Sequence, residues 1–245
     1  AVTVILADGC VVTPTTNTIT YTLPTITTLA PNTLRARFTN GLAVLSGTNF
    51  GGLPVNTPVR VRWASNGNIF ADGTSSIFET TGLTLGGTSI STEVPDATIC
   101  GTASVQASVL VFFPDGTCAG NTNVLTYTAP QVAGAGVTGF QPQNLSYEGQ
   151  TPFTFIATAG NNDFSNLVGQ TVQVEFSVAT GTPFRGGTSD FDVVPGTVAS
   201  VTTVTGSAPT IVAAGNTVPN VSVRVRFEDG TCTDLADTSY FRADN

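Results

Sequence analysis

Apolar and polar residues alternate along this chain in short runs that turn-forming residues repeatedly cut. Val59-Arg60-Val61-Arg62-Trp63, Val172-Gln173-Val174-Glu175-Phe176 and Val223-Arg224-Val225-Arg226-Phe227 are typical, each followed within a few residues by Gly, Asn or Asp. No stretch holds a helical repeat for three turns. Successive side chains of a strand point to opposite faces, so a period of two predicts an all-β protein of short strands and tight turns.

One hairpin recurs three times. Val109-Leu110-Val111-Phe112-Phe113-Pro114-Asp115-Gly116-Thr117-Cys118 matches Val223-Arg224-Val225-Arg226-Phe227-Glu228-Asp229-Gly230-Thr231-Cys232 without a gap, and Val2-Thr3-Val4-Ile5-Leu6-Ala7-Asp8-Gly9-Cys10 is a third copy lacking one Thr. Asp-Gly supplies the backbone conformation that reverses a chain, so a second strand should follow each copy. Asn17-Thr18-Ile19-Thr20-Tyr21-Thr22-Leu23-Pro24 matches Asn123-Val124-Leu125-Thr126-Tyr127-Thr128-Ala129-Pro130, and Thr238-Ser239-Tyr240-Phe241-Arg242-Ala243 is a looser version.

The stretches between hairpins also correspond. Gly47-Thr48-Asn49-Phe50 aligns with Asn161-Asn162-Asp163-Phe164, residues 59–63 with 172–176, and Ile69-Phe70-Ala71-Asp72-Gly73-Thr74-Ser75 with Pro183-Phe184-Arg185-Gly186-Gly187-Thr188-Ser189. The expected organisation is two tandem β-sandwiches, residues 25–130 and 131–245, each with about seven strands. Residues 1–24 form a surplus hairpin. Gly47-Thr48-Asn49-Phe50-Gly51-Gly52 ahead of Val59-Arg60-Val61 resembles the Gly-x-x-Phe element of the immunoglobulin-like TIG/IPT repeats of bacterial surface proteins. Asn161 and Ser165-Asn166 depart from it in the second copy. The resemblance implies tandem immunoglobulin-like sandwiches in a spacer or recognition role at the cell surface, and it transfers no catalytic residue.

Composition narrows the chemistry. Among 245 residues there is no His and no Lys; the eight basic residues are all Arg. That removes Ser-His-Asp and Cys-His catalysis, His-ligated metal, Schiff-base and phosphate-binding lysines. A net charge of -8 without a basic patch argues against nucleic acid. No apolar run approaches the roughly 20 residues of a membrane span. Only 10% of residues are charged, while about a sixth are Thr, so hydroxyls and amides must carry the surface polarity. The opening Ala1 with strand-like residues at once fits a processed mature form or a fragment.

The four cysteines lack metal-site spacing and suggest disulfides in an oxidising compartment. Cys100 and Cys118 flank the strand at 105–113, and bonding them requires the approach to that strand to fold back over its end. Cys10 and Cys232 stand at the Cys118 position of their own hairpins, with no counterpart of Cys100 in their own repeat. A Cys10–Cys232 bond within the chain would bring the ends of the tandem together; the same bond between copies would join subunits head to tail. Free thiols or another pairing are the remaining alternatives.

Other candidates weigh less. Glu79, Glu93, Glu148 and Glu175 are isolated and read as solvated or cross-strand paired faces, not a carboxylate pair. Asn161-Asn162-Asp163 and Asp190-Phe191-Asp192 lack the carboxylate density of a calcium loop. Trp63 and Phe176 read as core, whereas Tyr147, Phe153 and Phe184 fall near turns where a sugar could stack. Arg60 and Arg62, like Arg224 and Arg226, share one strand face each and are expected to face solvent. Asn144-Leu145-Ser146 and Asn220-Val221-Ser222 match the glycosylation acceptor pattern and receive no role.

The resulting expectation is a secreted or cell-surface, non-catalytic structural subunit of an extracellular fibre or surface layer, needing no cofactor. Its partner would be itself, head to tail. Residues 1–24 would add strands to a neighbour, with Val2, Val4, Leu6, Ile19, Tyr21 and Leu23 as the apolar plugs. The alternative is an adhesin or glycan-binding stalk segment of a larger surface protein, with a surface glycan as partner.

Overall fold

The computed structural model describes residues 4–5, 11–12, 22–36, 41–70, 73–131, 139–157, 164–165, 167–178, 181, 183–184, 189–212, 220–233 and 235–241. Among these the chain is all-β. A short antiparallel pair, β1 (Val4–Ile5) and β2 (Val11–Val12), precedes two eight-stranded sheets.

The first sheet contains β3 (Thr25–Ala30), β4 (Thr33–Arg35), β5 (Gly41–Thr48), β6 (Pro58–Ser65), β7 (Ile77–Gly86), β8 (Ser89–Val94), β9 (Ser104–Phe112) and β10 (Cys118–Thr128), in the order β3-β5-β8-β7-β6-β9-β10-β4. It curls into a sandwich because β7 serves both layers. Its first half pairs with β6 through Leu83, and its second half pairs with β8 from Gly82 onward. At that crossing a Cβ on Gly82 would lie 2.7 Å from a methyl of Ile90 and 3.0 Å from one of Val61, so only glycine fits. The opposite edge is closed by one amide: Asn121 Nδ2 donates to the carbonyls of Ile26 and Thr27, drawing β3 against β10. After the cis Ala30–Pro31 bond the chain changes layer, and β4 pairs in parallel with β10.

The second sheet repeats this plan. Its strands are β11 (Phe140–Gln141), β12 (Asn144–Ser146), β13 (Pro152–Ile156), β14 (Thr171–Val178), β15 (Phe191–Ser200), β16 (Thr203–Ser207), β17 (Asn220–Arg226) and β18 (Ala236–Phe241), in the order β11-β13-β16-β15-β14-β17-β18-β12. A cis Gln141–Pro142 bond again separates the first two strands, and Gly196 takes the place of Gly82, wedged between Val174 and Val204. Both units are immunoglobulin-like β-sandwiches.

Each sandwich has its own core. Trp63, Phe50, Phe70, Leu45 and Tyr127 are buried in the first, and Phe140, Phe155, Phe164, Phe176 and Phe184 in the second. Burying one such side chain is worth about 1.5–3 kcal/mol, enough for each sandwich to hold a centre of its own. Strands β6 and β14 share the same inside–outside pattern, which places Trp63 and Phe176 inward as expected. Threonine does more than coat the surface. Thr84 is fully buried, accepting from the Thr57 amide at 2.9 Å and donating to the Pro54 carbonyl at 2.6 Å, so its hydroxyl closes a loop from inside.

The amino-terminal pair is one residue out of step with the closing hairpins. Val4, aligned in sequence with Val111, faces Val12 and Ile5 faces Val11, whereas Val111 faces Ala119, the counterpart of Val11. Its second strand therefore starts directly after the turn, ahead of the residues 17–24 matched by sequence. Among the described residues this pair shares no ladder with either larger sheet.

Candidate functional site: the junction between the sandwiches

The chemistry-bearing residues converge where the two sandwiches meet. The β8–β9 loop of the first, residues 95–103, lies against the β17–β18 turn of the second. Cys100 is bonded to Cys232, with 4.7 Å between their Cα atoms, across 132 positions of sequence. The Cys232 amide donates to the Ile99 carbonyl at 2.9 Å, and the Thr98 hydroxyl donates to the Asp229 carbonyl at 3.1 Å. Arg35, at the end of β4, donates from Nη1 to the Ser165 carbonyl at 2.8 Å, giving a second point of attachment. The Cys100–Cys118 pairing considered above is replaced by this one. The loop carrying Cys100 projects from the end of the sandwich at which β10 finishes, while Cys118 opens β10 at the other end of that strand.

An acid–base cluster lies beside the bond. Glu175 on β14 pairs with Arg224 and Arg226 on β17, the latter at 3.3 Å, and Arg224 Nη1 lies 3.6 Å from the Cys100 sulfur. The first sandwich builds a more exposed version with the roles exchanged. Arg62 and Arg60 reach Glu79 on β7 at 2.7 and 3.6 Å, and the Arg60 guanidinium sits 4.0 Å over the Phe112 ring. These arginines therefore meet partners in their own sheets instead of facing solvent alone. Exposed pairs of this kind contribute up to about 1 kcal/mol, so they set local register more than stability.

The two Asp-Gly-Thr-Cys turns are built alike. Phe113 and Phe227 amides donate to the carbonyls of Thr117 and Thr231, and each Thr donates amide and hydroxyl to its Asp carboxylate. The Thr117 hydroxyl, and next its amide, hold the Asp115 carboxyl below the usual carboxylate range. The surroundings differ: Thr231 and Cys232 are fully buried by the junction, whereas Cys118 is an exposed free thiol.

The remaining candidates are dispersed. Phe153 and Phe184, expected near the surface as sugar platforms, are buried in the second core, because their turn-adjacent positions still point inward. Tyr147 is half-buried. Val4 lies in β1 and Leu23 is exposed, while Val2, Leu6, Cys10, Ile19 and Tyr21, like Asn161-Asn162-Asp163, fall outside the described residues. Glu93 and Glu148 are exposed and apart from any second carboxylate pair. Among the described residues no group of three metal-ligating side chains occurs, and no helix is long and apolar enough to cross a membrane. A groove of about 740 Å³ over β6, β9 and β10 is lined by Ser65, Asn66, Gln106, Ser108 and Asn123, with no aromatic platform.

No family profile and no curated protein sequence matches the chain. Among solved structures, a tetra-tandem repeat from the extending region of a large adhesion protein is similar at 10% identity and TM-score 0.29, covering 89% of this chain. The chain spans about half of that structure, 48%. The CBD12 unit of CALX1.2 is similar at 10% identity and TM-score 0.30, covering 88% of this chain and 99% of that one. Fibronectin(III)-like modules of Clostridium thermocellum CbhA are similar at 15% identity and TM-score 0.22, covering 88% and 93%. The described strands, their order and the two cores make this chain a tandem of immunoglobulin-like β-sandwiches joined by a disulfide.

Proposed function

We propose that the chain is a non-catalytic structural subunit of an extracellular fibre or surface layer, in which a clamped pair of sandwiches is the repeating unit. The observation that carries this reading is the junction. A covalent bond, a two-point set of backbone contacts and the Arg35 attachment hold neighbouring sandwiches together, which suits a spacer that must keep its length. A disulfide of this kind is at home in an oxidising, extracellular setting. Within this reading residues 1–24 supply the connection between subunits by strand addition, supported by an antiparallel β1–β2 pair that, among the described residues, stands outside both larger sheets.

Electron microscopy of the native material, with and without residues 1–24, tests this. Filaments that disappear on truncation are expected. Isolated two-lobed particles in both samples would overturn assembly and turn attention to the stalk reading, with a surface glycan as ligand.

A further inference from the structure

The chain holds one filled junction and, among the described residues, two further surfaces that match its two halves and meet no such partner. The acceptor half is the Asp-Gly-Thr-Cys turn. In the second sandwich it is covered: Thr98 approaches Gly230 so closely that an added Cβ would meet its methyl at 3.3 Å. In the first sandwich Gly116 has the same backbone conformation, φ 84° against 87°, and meets nothing within 4 Å among the described residues. The donor half is the β8–β9 loop. Phe70 bridges to Ala97 and Phe184 to Ile211, which fixes the equivalence of the two loops: Thr98 corresponds to Val212 and, three residues beyond the bridges in sequence, Cys100 to Ala214. Val212 is exposed at 46%, a large apolar side chain at the position whose counterpart, Thr98, packs on Gly230.

We infer that the turn of residues 113–118 receives a second copy of this chain, which docks the loop containing Ile211 and Val212 of its second sandwich there in the manner of the internal junction. The inference rests on the structural reading above and assigns its second contact. The interface is heterologous, two different surfaces repeating along one direction, so it builds an open linear array instead of a closed dimer. Val212 takes the place of Thr98 over Gly116. The sequence counterpart of Cys100 is Ala214, so the contact lacks the disulfide of the internal junction and is reversible, which accounts for an exposed thiol at a position that is bonded in the other repeat.

A cysteine trap tests it in the full chain. Ala214→Cys restores the missing half of the bond. With oxidised glutathione as the oxidant, the Cys118 thiol and the introduced thiol lose two electrons and two protons to form one disulfide, and one glutathione disulfide is reduced to two thiols. A ladder of linear multimers is expected on a non-reducing gel, with Cys118 linked to position 214 in the peptide map and no ladder once Cys118→Ser is added. Monomers only, symmetric links between two introduced thiols, Cys10 links, or a ladder that survives Cys118→Ser would overturn the docking. A second measurement avoids the trap. In a Cys10→Ser background, alkylation of Cys118 should slow several-fold as protein concentration is raised, and a rate independent of concentration would also overturn it. Filaments that need residues 1–24 but give no bond between Cys118 and the introduced thiol would leave strand addition standing and remove only this contact.

Discussion

Tyr127 shows how one side chain ties the core to the junction. Its ring is buried edge-on to Phe70, and its hydroxyl donates to the Pro95 carbonyl at 2.6 Å, anchoring the start of the loop that carries Cys100. Burial, with the Asp96 carboxylate adding to it, pushes the phenol well above its ordinary range. Tyr127→Phe should cost about 1–3 kcal/mol in urea unfolding, because the Pro95 carbonyl loses its partner. The sign of the pH effect follows. Below about pH 10 the phenol is protonated in both states; above it the unfolded chain ionises first, so stability falls as pH rises toward the folded value. The Phe variant should lack that alkaline slope, and a variant that keeps it would locate the effect elsewhere. At this scale Trp63 and Phe176 were legible because strand alternation points them inward. Phe153 and Phe184 were not, since alternation says little about residues at strand ends and in isolated bridges.

Elements carry the repeat. The strand pairing that follows the repeated Asp-Gly motif could be read from sequence, because turn chemistry and alternation act over a few residues, but the one-residue offset of the first copy could not. The strand that changes partner halfway could not, since its signal is a tolerance for contact and not a pattern of polarity. Gly82 and Gly196 mark that crossing in β7 and β15, and Gly82→Ala should destabilise the first sandwich by about 1–3 kcal/mol, read as a shift in unfolding midpoint. A neutral substitution would mean that β6 and β8 can part at that point without loss. The disulfide escaped the sequence for a related reason. Cys232 has no second cysteine in its repeat and Cys100 has only Cys118, at the far end of β10, so only the packing of one unit's loop on the next unit's turn brings Cys100 and Cys232 together.

For the whole molecule, the bond at the junction determines the route by which a pull is transmitted. Tension applied between the chain ends enters the first sandwich, crosses from Cys100 to Cys232 through sulfur, and leaves along β18. Residues 101–231, between the two cysteines, lie off that path. β9 and β10 of the first sandwich and most of the second are thereby held in reserve, roughly 450 Å of extended chain at about 3.4 Å per residue. In single-molecule stretching the oxidised chain should yield only the remaining length, and adding a reductant should release the reserve as a new extension step. Equal extension with and without reductant would mean that the bond does not bear the load. A subunit wired in this way has a limited reach while its surroundings are oxidising and becomes a longer shock absorber once they are reducing.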